Sequence, residues 1–252
     1  MAGMRDNLLV GLDSDILPNP TIPKVVKRVE VKPTTTAVNA TVTVPSDATW
    51  VSVRALGSGG TALQSVGGNA VRSSAGGGGT YVRGLYKVTP GGTMEVSAGM
   101  ADVGTTVRIN GVGVLFAMPG QQGTGMSRNY NDLFDGSVPD VDALRESTRL
   151  CICDESRHGG YGLNRRPENG VESYKGGDSG NDYADHDTLR IGGSGAVATP
   201  SFSQYAGPGG GGAFHGYTPN PSGGNTVYNL VRAPGPGMAV LEFYNADPRS
   251  RG

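Results

Sequence analysis

The chain has 252 residues, of which 43 are glycine and 16 are proline, and its formal net charge is −1. Glycine is more than twice as frequent as in an average protein, but it follows no Gly-X-Y period, which excludes collagen. Charged residues make up only 17%, which argues against intrinsic disorder, and the near-neutral balance argues against a basic nucleic-acid-binding domain.

The sequence contains no segment typical of export or membrane insertion. No stretch reaches the roughly 18 consecutive apolar residues of a membrane helix, and the first 18 residues lack the basic and apolar regions of a signal peptide. We therefore expect synthesis in a cytoplasm and no membrane insertion. Cys151 and Cys153 lie too close in an extended segment to form a disulfide.

Residues 1–35 are predicted to form an extended N-terminal arm. Prolines interrupt any regular element up to Pro23, and cations then alternate with valines up to Lys32. This alternation indicates either a short edge strand of the same domain or a docking peptide that joins another protein's sheet. The docking candidates are Lys24, Val26, Arg28, Val29 and Val31.

Residues 36–118 carry the period of two that is typical of half-buried strands. Valines alternate with polar residues from Val38 to Val44, and the alternation returns several times before Met118. Turn signals separate these segments, among them Thr89-Pro90-Gly91-Gly92 and the hairpin dipeptide Asn110-Gly111. Short strands at this spacing predict an all-β fold, a glycine-rich antiparallel β-sandwich.

Residues 120–205 interrupt this pattern and are predicted to form a long, loop-rich insertion. The segment from 120 to 200 holds 13 of the 22 acidic residues. Its one helical candidate runs from Asp140 to Arg149. Loops of this length are usually functional or disordered.

The last part of the sequence returns to the β pattern. Met238 to Tyr244 is the most apolar strand, and we expect it to close the sheet begun by Val51 and Val53. The predicted β domain then spans 36–246, with the insertion inside it, and residues 247–252 form a tail. The glycine tracts at 57–60, 76–79 and 207–212 can either stack through backbone hydrogen bonds or serve as permissive loops.

The order of strand, tract and turn resembles the glycine-rich domain of bacteriophage tail-fibre and tail-tip proteins. The residues that carry this resemblance run from Val51 through Gly57-Ser58-Gly59-Gly60, Gly76 to Tyr81 and Val88 to Val96, and end with Pro236 to Tyr244. It covers roughly 38–118 and 206–246, while the arm and the insertion lie outside it. The glycine runs are shorter than in many members, and Ser58 stands where the family usually has alanine.

The resemblance implies a structural, non-enzymatic virion protein that docks by its N-terminal arm and contributes to attachment to a host surface. It implies other virion proteins as partners and a homotrimer as the assembly, with host-surface glycan or protein as a further partner. A head fibre or capsid-decoration protein is a second structural alternative. A virion-associated enzyme that cleaves polysaccharide is the third.

Loop aromatics mixed with polar residues suit recognition of a carbohydrate or protein surface, although ordinary loop packing is the alternative. These recognition candidates are Tyr161, Asn164, Tyr174, Tyr183, His215 and Tyr217, with Arg165 beside them.

The acidic residues after Gly177 have the oxygen ligands that Ca²⁺ prefers, and a solvated acidic loop is the alternative. The calcium candidates are Asp178, Asp182, Asp185 and Asp187.

Other chemistry is weakly indicated. Gly207, Gly209 and Gly212 match a dinucleotide-binding spacing but open no predicted helix. Cys151, Cys153 and His158 could form part of a zinc site or a Cys-His pair, but further ligands or an orienting group cannot be selected. No pair of carboxylates is singled out for glycoside hydrolysis. We therefore expect no catalytic residues and no cofactor beyond a structural Ca²⁺.

Overall fold

The computed structural model describes residues 22–67, 70–123, 134–135, 153–160, 162–165, 171–180, 191–198, 203–217 and 228–250. Within these ranges the protein is all-β, with antiparallel sheets and no helix, so the predicted fold class is confirmed. No helix in the described ranges is long and apolar enough to cross a membrane. The helical candidate Asp140 to Arg149 lies outside them.

The strands are numbered in chain order as follows: β1 (Val25–Val31), β2 (Val38–Thr43), β3 (Trp50–Leu56), β4 (Leu63–Gly67), β5 (Ala70–Ser74), β6 (Tyr81–Lys87), β7 (Thr93–Ala98), β8 (Thr105–Ile109), β9 (Val112–Ala117), β10 (Phe134–Asp135), β11 (Glu155–Arg157), β12 (Leu163–Arg165), β13 (Val171–Lys175), β14 (Val197–Ala198), β15 (Ser203–Gln204), β16 (Ala213–Tyr217), β17 (Tyr228–Arg232) and β18 (Met238–Tyr244).

Two sheets pack face to face as the β-sandwich. The first has the order β1-β18-β3-β6-β11 and the second β2-β7-β8-β9. β18 pairs with β3 so that Leu241 lies opposite Val53 and Phe243 opposite Val51, which confirms that the last apolar strand closes the sheet begun by β3. These four side chains are fully buried in the core between the sheets. Alternate residues of β2 and β7 are buried against this core, whereas β3 is buried on both faces.

The turns use the residues that their geometry demands. Asn110 and Gly111 have φ of 49° and 79°, the pair of left-handed residues that a tight hairpin between β8 and β9 requires. In the turn before β7, Gly91 has φ of 73° and the N–H of Gly92 donates to the carbonyl oxygen of Thr89 at 2.9 Å. Both predicted turns are therefore present.

A second group of strands forms two sheets that are separate from those of the β-sandwich. β4 and β5 form a hairpin, and seven strands form what we call the distal sheet. The distal sheet has the order β10-β12-β13-β14-β15, and β16 joins β13 to β17. Five of its strands, β10 and β12–β15, come from the segment predicted as an insertion, so the described parts of that segment include regular structure.

Six glycine-rich tracts connect the β-sandwich to the distal strands, and we call them together the glycine lattice. β3 runs into the first tract and the second runs into β6, while β13, β14 and β16 adjoin the last three. The tracts are I (57–61), II (76–80), III (118–123), IV (176–180), V (193–196) and VI (207–212). A five-residue tract with the rise of polyproline II spans about 15 Å.

The tracts bond to one another with a period of three residues. In tract II, the N–H groups of Gly76 and Gly79 both donate to tract VI, at 3.0 and 2.7 Å. Those of Gly77 and Thr80 donate to tract III, at 2.9 and 3.0 Å, and Gly78 donates in a third direction, to residue 160. Three residues per turn without helical hydrogen bonds is the periodicity of polyproline II, so each tract can bond to neighbours on three sides.

The same period recurs in tract IV. Gly176 and Ser179 donate to tract V, whereas Gly177 and Gly180 donate to tract II. Most lattice glycines are buried, and their backbone groups bond to other tracts rather than to water. The lattice therefore satisfies the requirement that buried N–H and C=O groups be paired without forming a β-sheet.

Close packing explains why these positions are glycine. A methyl group built on Gly57 would overlap the carbonyl oxygen of Met118, and one on Gly177 would overlap that of Gly160. The obstacle in each case is backbone, which cannot move aside as a flexible side chain can. Of the two alternatives that the sequence leaves open for the glycine tracts, the structure selects stacking.

Candidate interaction surfaces

The molecule has two ends, which the register of β1 and β18 defines. Val25 lies opposite Tyr244, whereas Val31 lies opposite Ala239, next to the lattice end of β18. The chain before β1 therefore joins the β-sandwich at the end far from the glycine lattice. Seven residues of β18 span about 20 Å, and the lattice adds about 15 Å, so the two ends are on the order of 35 Å apart.

The docking candidates lie in or beside β1, the edge strand of the first sheet, which we call the N-terminal edge. β1 pairs with β18 of its own chain, as the edge-strand alternative predicts. Val31 is buried, Val26 and Val29 are half-buried, and Lys24 and Arg28 are exposed. The backbone of Lys24 bonds to Asn245, since its N–H donates to Asn245 Oδ1 at 2.8 Å. This part of the predicted arm thus contributes to the sheet.

The N-terminal edge has a pronounced charge. Its exposed side chains include four cations against the single acid Glu30, and these cations are Lys24, Lys27, Arg28 and Lys32. No strand in the described ranges pairs with the outer side of β1. An open strand of this kind can accept a further strand, and cations on it disfavour pairing with a second copy of itself.

Four of the six recognition candidates come together in the distal sheet. Asn164 lies in β12, Tyr174 in β13, and His215 and Tyr217 in β16, which are successive neighbours in the sheet. His215 is opposite Glu172 of β13, and Tyr217 is opposite Tyr228 of β17. Tyr161 and Tyr183 lie outside the described residues. Arg165, in β12, is opposite Glu172 as well.

Sequence reasoning missed one exposed aromatic side chain of this region. Tyr205 follows β15 and is 72% exposed, and the guanidinium carbon of Arg232 lies 4.9 Å from the centroid of its ring. The two residues are 27 positions apart and neither belongs to an alternating pattern. The nearest signal is compositional, because Tyr205 lies two residues before tract VI, as Tyr81 directly follows tract II.

Among the calcium candidates, the structure describes Asp178 alone, and Asp182, Asp185 and Asp187 lie outside the described residues. Asp178 Oδ1 accepts the backbone N–H of Gly195 at 2.8 Å, and Oδ2 accepts Lys175 Nζ at 2.9 Å. Its carboxylate therefore links tract IV to tract V of the lattice. The described ranges hold no cluster of three or more metal-ligating side chains.

A polar cleft of about 290 Å³ opens beside the lattice. Tracts II and III line it together with Asp102 and His158. His158 Nδ1 lies 2.9 Å from the carbonyl oxygen of Gly159, so Nδ1 carries the proton. Asp102 accepts hydrogen bonds from the backbone N–H and the hydroxyl of Thr61, at 2.8 and 2.7 Å. The cleft offers hydrogen-bonding groups, but its one carboxylate already has a partner.

Cys153, the one cysteine that the structure describes, does not show the features of a reactive thiol. Burial raises the pKa of the Cys153 thiol, and the charge of Asp154 raises this pKa further. A raised pKa disfavours the thiolate that nucleophilic catalysis and zinc binding require. Cys151 lies outside the described residues. Gly207, Gly209 and Gly212, the dinucleotide-spacing glycines, lie in tract VI and begin no helix.

No protein-family model matches the chain, and no curated protein matches it in sequence.

Proposed function

We propose that the chain is a structural protein of a bacteriophage virion, a tail-fibre or tail-tip component that docks at its N-terminal end and contributes to host attachment at the other. The observation that carries this proposal is the polarity of the molecule. The start of β1, with Lys24 beside it, lies at the end of the β-sandwich far from the glycine lattice, whereas strands of the distal sheet continue from the lattice tracts.

The lattice supports a passive, load-bearing role for that body. Its tracts bond to one another on three sides, so a force along the molecule is shared by many backbone hydrogen bonds. A surface carried on such a scaffold keeps its shape, which favours recognition by the loops and strands beyond it. The resemblance to glycine-rich tail-fibre and tail-tip domains supports the same role. A homotrimer is part of this proposal on the resemblance alone.

The docking half of the proposal assigns distinct roles to two parts of the N-terminal segment. Residues 25–31 complete the first sheet, with Val31 only 6% exposed. Removing residues 1–21 leaves β1 in place, whereas removing residues 25–31 would uncover Val31 of the core. A partner strand with acidic side chains would complement the four cations of the N-terminal edge.

Two deletions test this division in assembled particles. Removing residues 1–21 is expected to leave a folded chain that no longer joins particles. Removing residues 1–32 also lowers stability, because β18 loses β1, one of the two strands that pair with it. Gold-labelled antibody to the chain locates it on purified particles by electron microscopy. Full incorporation of the shorter deletion would exclude docking by that segment, and labelling of heads alone would favour a capsid-decoration role.

The attachment half is tested by competition. Cells incubated first with the purified full-length chain are expected to adsorb fewer particles, because the free distal sheets occupy the same surface sites. A chain that labels particles but never competes for adsorption would retain the structural role and lose the attachment role. Release of reducing ends from host polysaccharide by the purified chain would instead favour the enzymatic alternative.

A further inference from the structure

Beside the distal sheet the exposed ring of Tyr205 packs against the half-buried side chain of Arg232, and we call these two residues the Tyr–Arg pair. Tyr205 is 72% exposed although its ring packs against the guanidinium of Arg232 at 4.9 Å. Val231, next to Arg232 on β17, is 51% exposed. Gln204 and Ser203 beside them are also exposed. An aromatic ring in this position presents apolar area to solvent without any covering element in the described part of the chain.

Arg232 is held in place by neutral groups. Its Nη2 donates to Ser203 Oγ at 2.8 Å, and its Nη1 donates to the carbonyl oxygen of Val231 at 3.3 Å. Within the described ranges no carboxylate lies within ion-pair distance of Arg232. Each terminal nitrogen carries two hydrogens, so one N–H on each remains for a ligand.

A second arginine–aromatic pair shows what is unusual about this one. The guanidinium carbon of Arg249 lies 5.1 Å from the centroid of the Trp50 ring, at the opposite end of the β-sandwich. Arg249 also forms an ion pair with Asp247 at 3.2 Å. That pair is neutralised within the chain, whereas the charge of the Tyr–Arg pair is balanced by no carboxylate of the described residues.

The chemistry of the Tyr–Arg pair fits one class of ligand. A flat, exposed tyrosine ring stacks against the apolar face of a sugar ring, and two parallel N–H groups of a guanidinium match the two oxygens of a carboxylate. Two of the exposed residues described beside the pair, Ser203 and Gln204, are polar and offer hydrogen-bonding groups to the hydroxyls of a sugar. The pair is also fixed before binding, which lowers the entropic cost of holding a small ligand.

We propose that Tyr205 and Arg232 bind a carboxylated sugar residue of a host-surface polysaccharide. This inference rests on the proposed attachment function and names the ligand of its recognition end. The tyrosine ring packs against the sugar, and the guanidinium pairs with its carboxylate. Because an exposed ion pair is screened by salt, binding weakens as ionic strength rises.

The test uses the full-length chain and a glycan array. The array carries oligosaccharides that contain glucuronate, galacturonate or sialic acid, each beside its carboxyl-reduced form. We expect at least one acidic probe to bind ten-fold or more tightly than its reduced partner. Tyr205→Ala is expected to weaken that binding at least ten-fold, whereas Arg232→Gln removes the preference for the acidic form and Arg232→Lys retains part of it.

Arg249→Gln is the matched control, since it removes an arginine from the other arginine–aromatic pair and is expected to leave glycan binding unchanged. Thermal unfolding of each variant verifies that it is folded. The inference is overturned if no acidic probe binds, if reduced forms bind equally well, or if the Tyr205 and Arg232 variants bind like the wild type.

Treated cells separate this inference from recognition of a protein. Periodate treatment of host cells is expected to abolish binding of the chain, and proteinase treatment to leave it intact; the reverse result contradicts a saccharide ligand. Antibody labelling of purified particles does not depend on the glycan array or on the treated cells. A chain that labels particles yet binds no acidic sugar loses this inference alone, whereas a chain absent from all particles loses the proposed function.

Discussion

The interiors of the β-sandwich and of the glycine lattice both exclude water, but they do so by opposite means. In the sandwich, side chains such as Phe243 and Leu241 fill the space between two sheets, and both are fully buried. In the lattice most residues are glycine, and neighbouring backbones occupy the space that a Cβ would need. The sandwich is thus sensitive to the loss of side-chain atoms, whereas the lattice is sensitive to their gain.

The largest expected effect is the loss of a side chain from the sandwich. Phe243→Ala removes a fully buried ring from the core, and we expect a decrease of about 3–5 kcal/mol in the free energy of unfolding. Urea denaturation followed by tryptophan fluorescence measures it, because Trp50 lies in the adjacent strand. A decrease below about 1 kcal/mol would mean that the sandwich core contributes little to stability.

The complementary change adds one methyl group to the lattice. Gly177→Ala would overlap the carbonyl oxygen of Gly160 and place the new carbon 2.6 Å from the amide nitrogen of Gly78. We expect a loss of about 1–3 kcal/mol, as for overpacked cores. Hydrogen exchange should then accelerate at the amides of tracts II and IV before it does so in the sandwich.

Gly113→Ala is the control for that experiment. Gly113 is an exposed residue of β9, and no atom lies within 4 Å of a Cβ built on it. The same chemical change there is expected to alter stability by less than about 0.5 kcal/mol. Equal effects at Gly177 and Gly113 would contradict the claim that close backbone approach dictates glycine in the lattice.

The same contrast explains what the sequence could predict. Alternation identifies β3 and an apolar run identifies β18, because burial of Val53 and Leu241 in the core leaves a pattern in the sequence. Asn110-Gly111 predicts its hairpin because only a few residues tolerate left-handed φ at two successive positions. These features depend on side chains or local geometry, which the sequence encodes directly.

The lattice and the Tyr–Arg pair depend on relations between distant segments. Gly76 donates to a carbonyl of tract VI, more than 130 residues away in the chain, and glycine in a loop would give the same sequence. Tyr205 and Arg232 meet because β14–β15 and β17 lie near one another in the distal sheet, and no local pattern records that meeting. Asp178 is predicted from the sequence as a calcium ligand, and its bond to the N–H of Gly195 could not be predicted without the lattice.

Substitution of Asp178 tests whether side chains contribute to the stability of the lattice. Asp178→Ala removes the acceptor of the Gly195 N–H and of Lys175, and we expect a loss of about 1.5 kcal/mol, with a fall of a few degrees in Tm. Lys175→Met removes the half-exposed ion pair alone and is expected to lower stability by less than about 1 kcal/mol. Equal losses would assign the effect to the ion pair.

Scanning calorimetry with and without EDTA examines the calcium hypothesis on the same variants. A bound ion would raise the Tm of the wild type in a chelator-sensitive way, through ligand linkage. The structural role of Asp178 predicts instead that the difference between wild type and Asp178→Ala persists in EDTA.

The smallest expected effect lies in the pH dependence of the sandwich. Burial raises the pKa of Tyr244, and the charge of Glu242, which accepts its hydroxyl hydrogen bond at 3.2 Å, raises this pKa further. Since the folded state holds this proton more tightly than the unfolded chain, the contribution is complete below about pH 10, the ordinary tyrosine pKa, and is lost as pH rises above it. Tyr244→Phe should therefore show a shallower fall in stability between pH 9 and 11, measured by urea denaturation.

The slope of stability against pH is the relevant quantity, because the variant also loses a hydrogen bond at every pH. Parallel curves for wild type and Tyr244→Phe would show that neither burial nor Glu242 affects titration of this phenol in the folded protein.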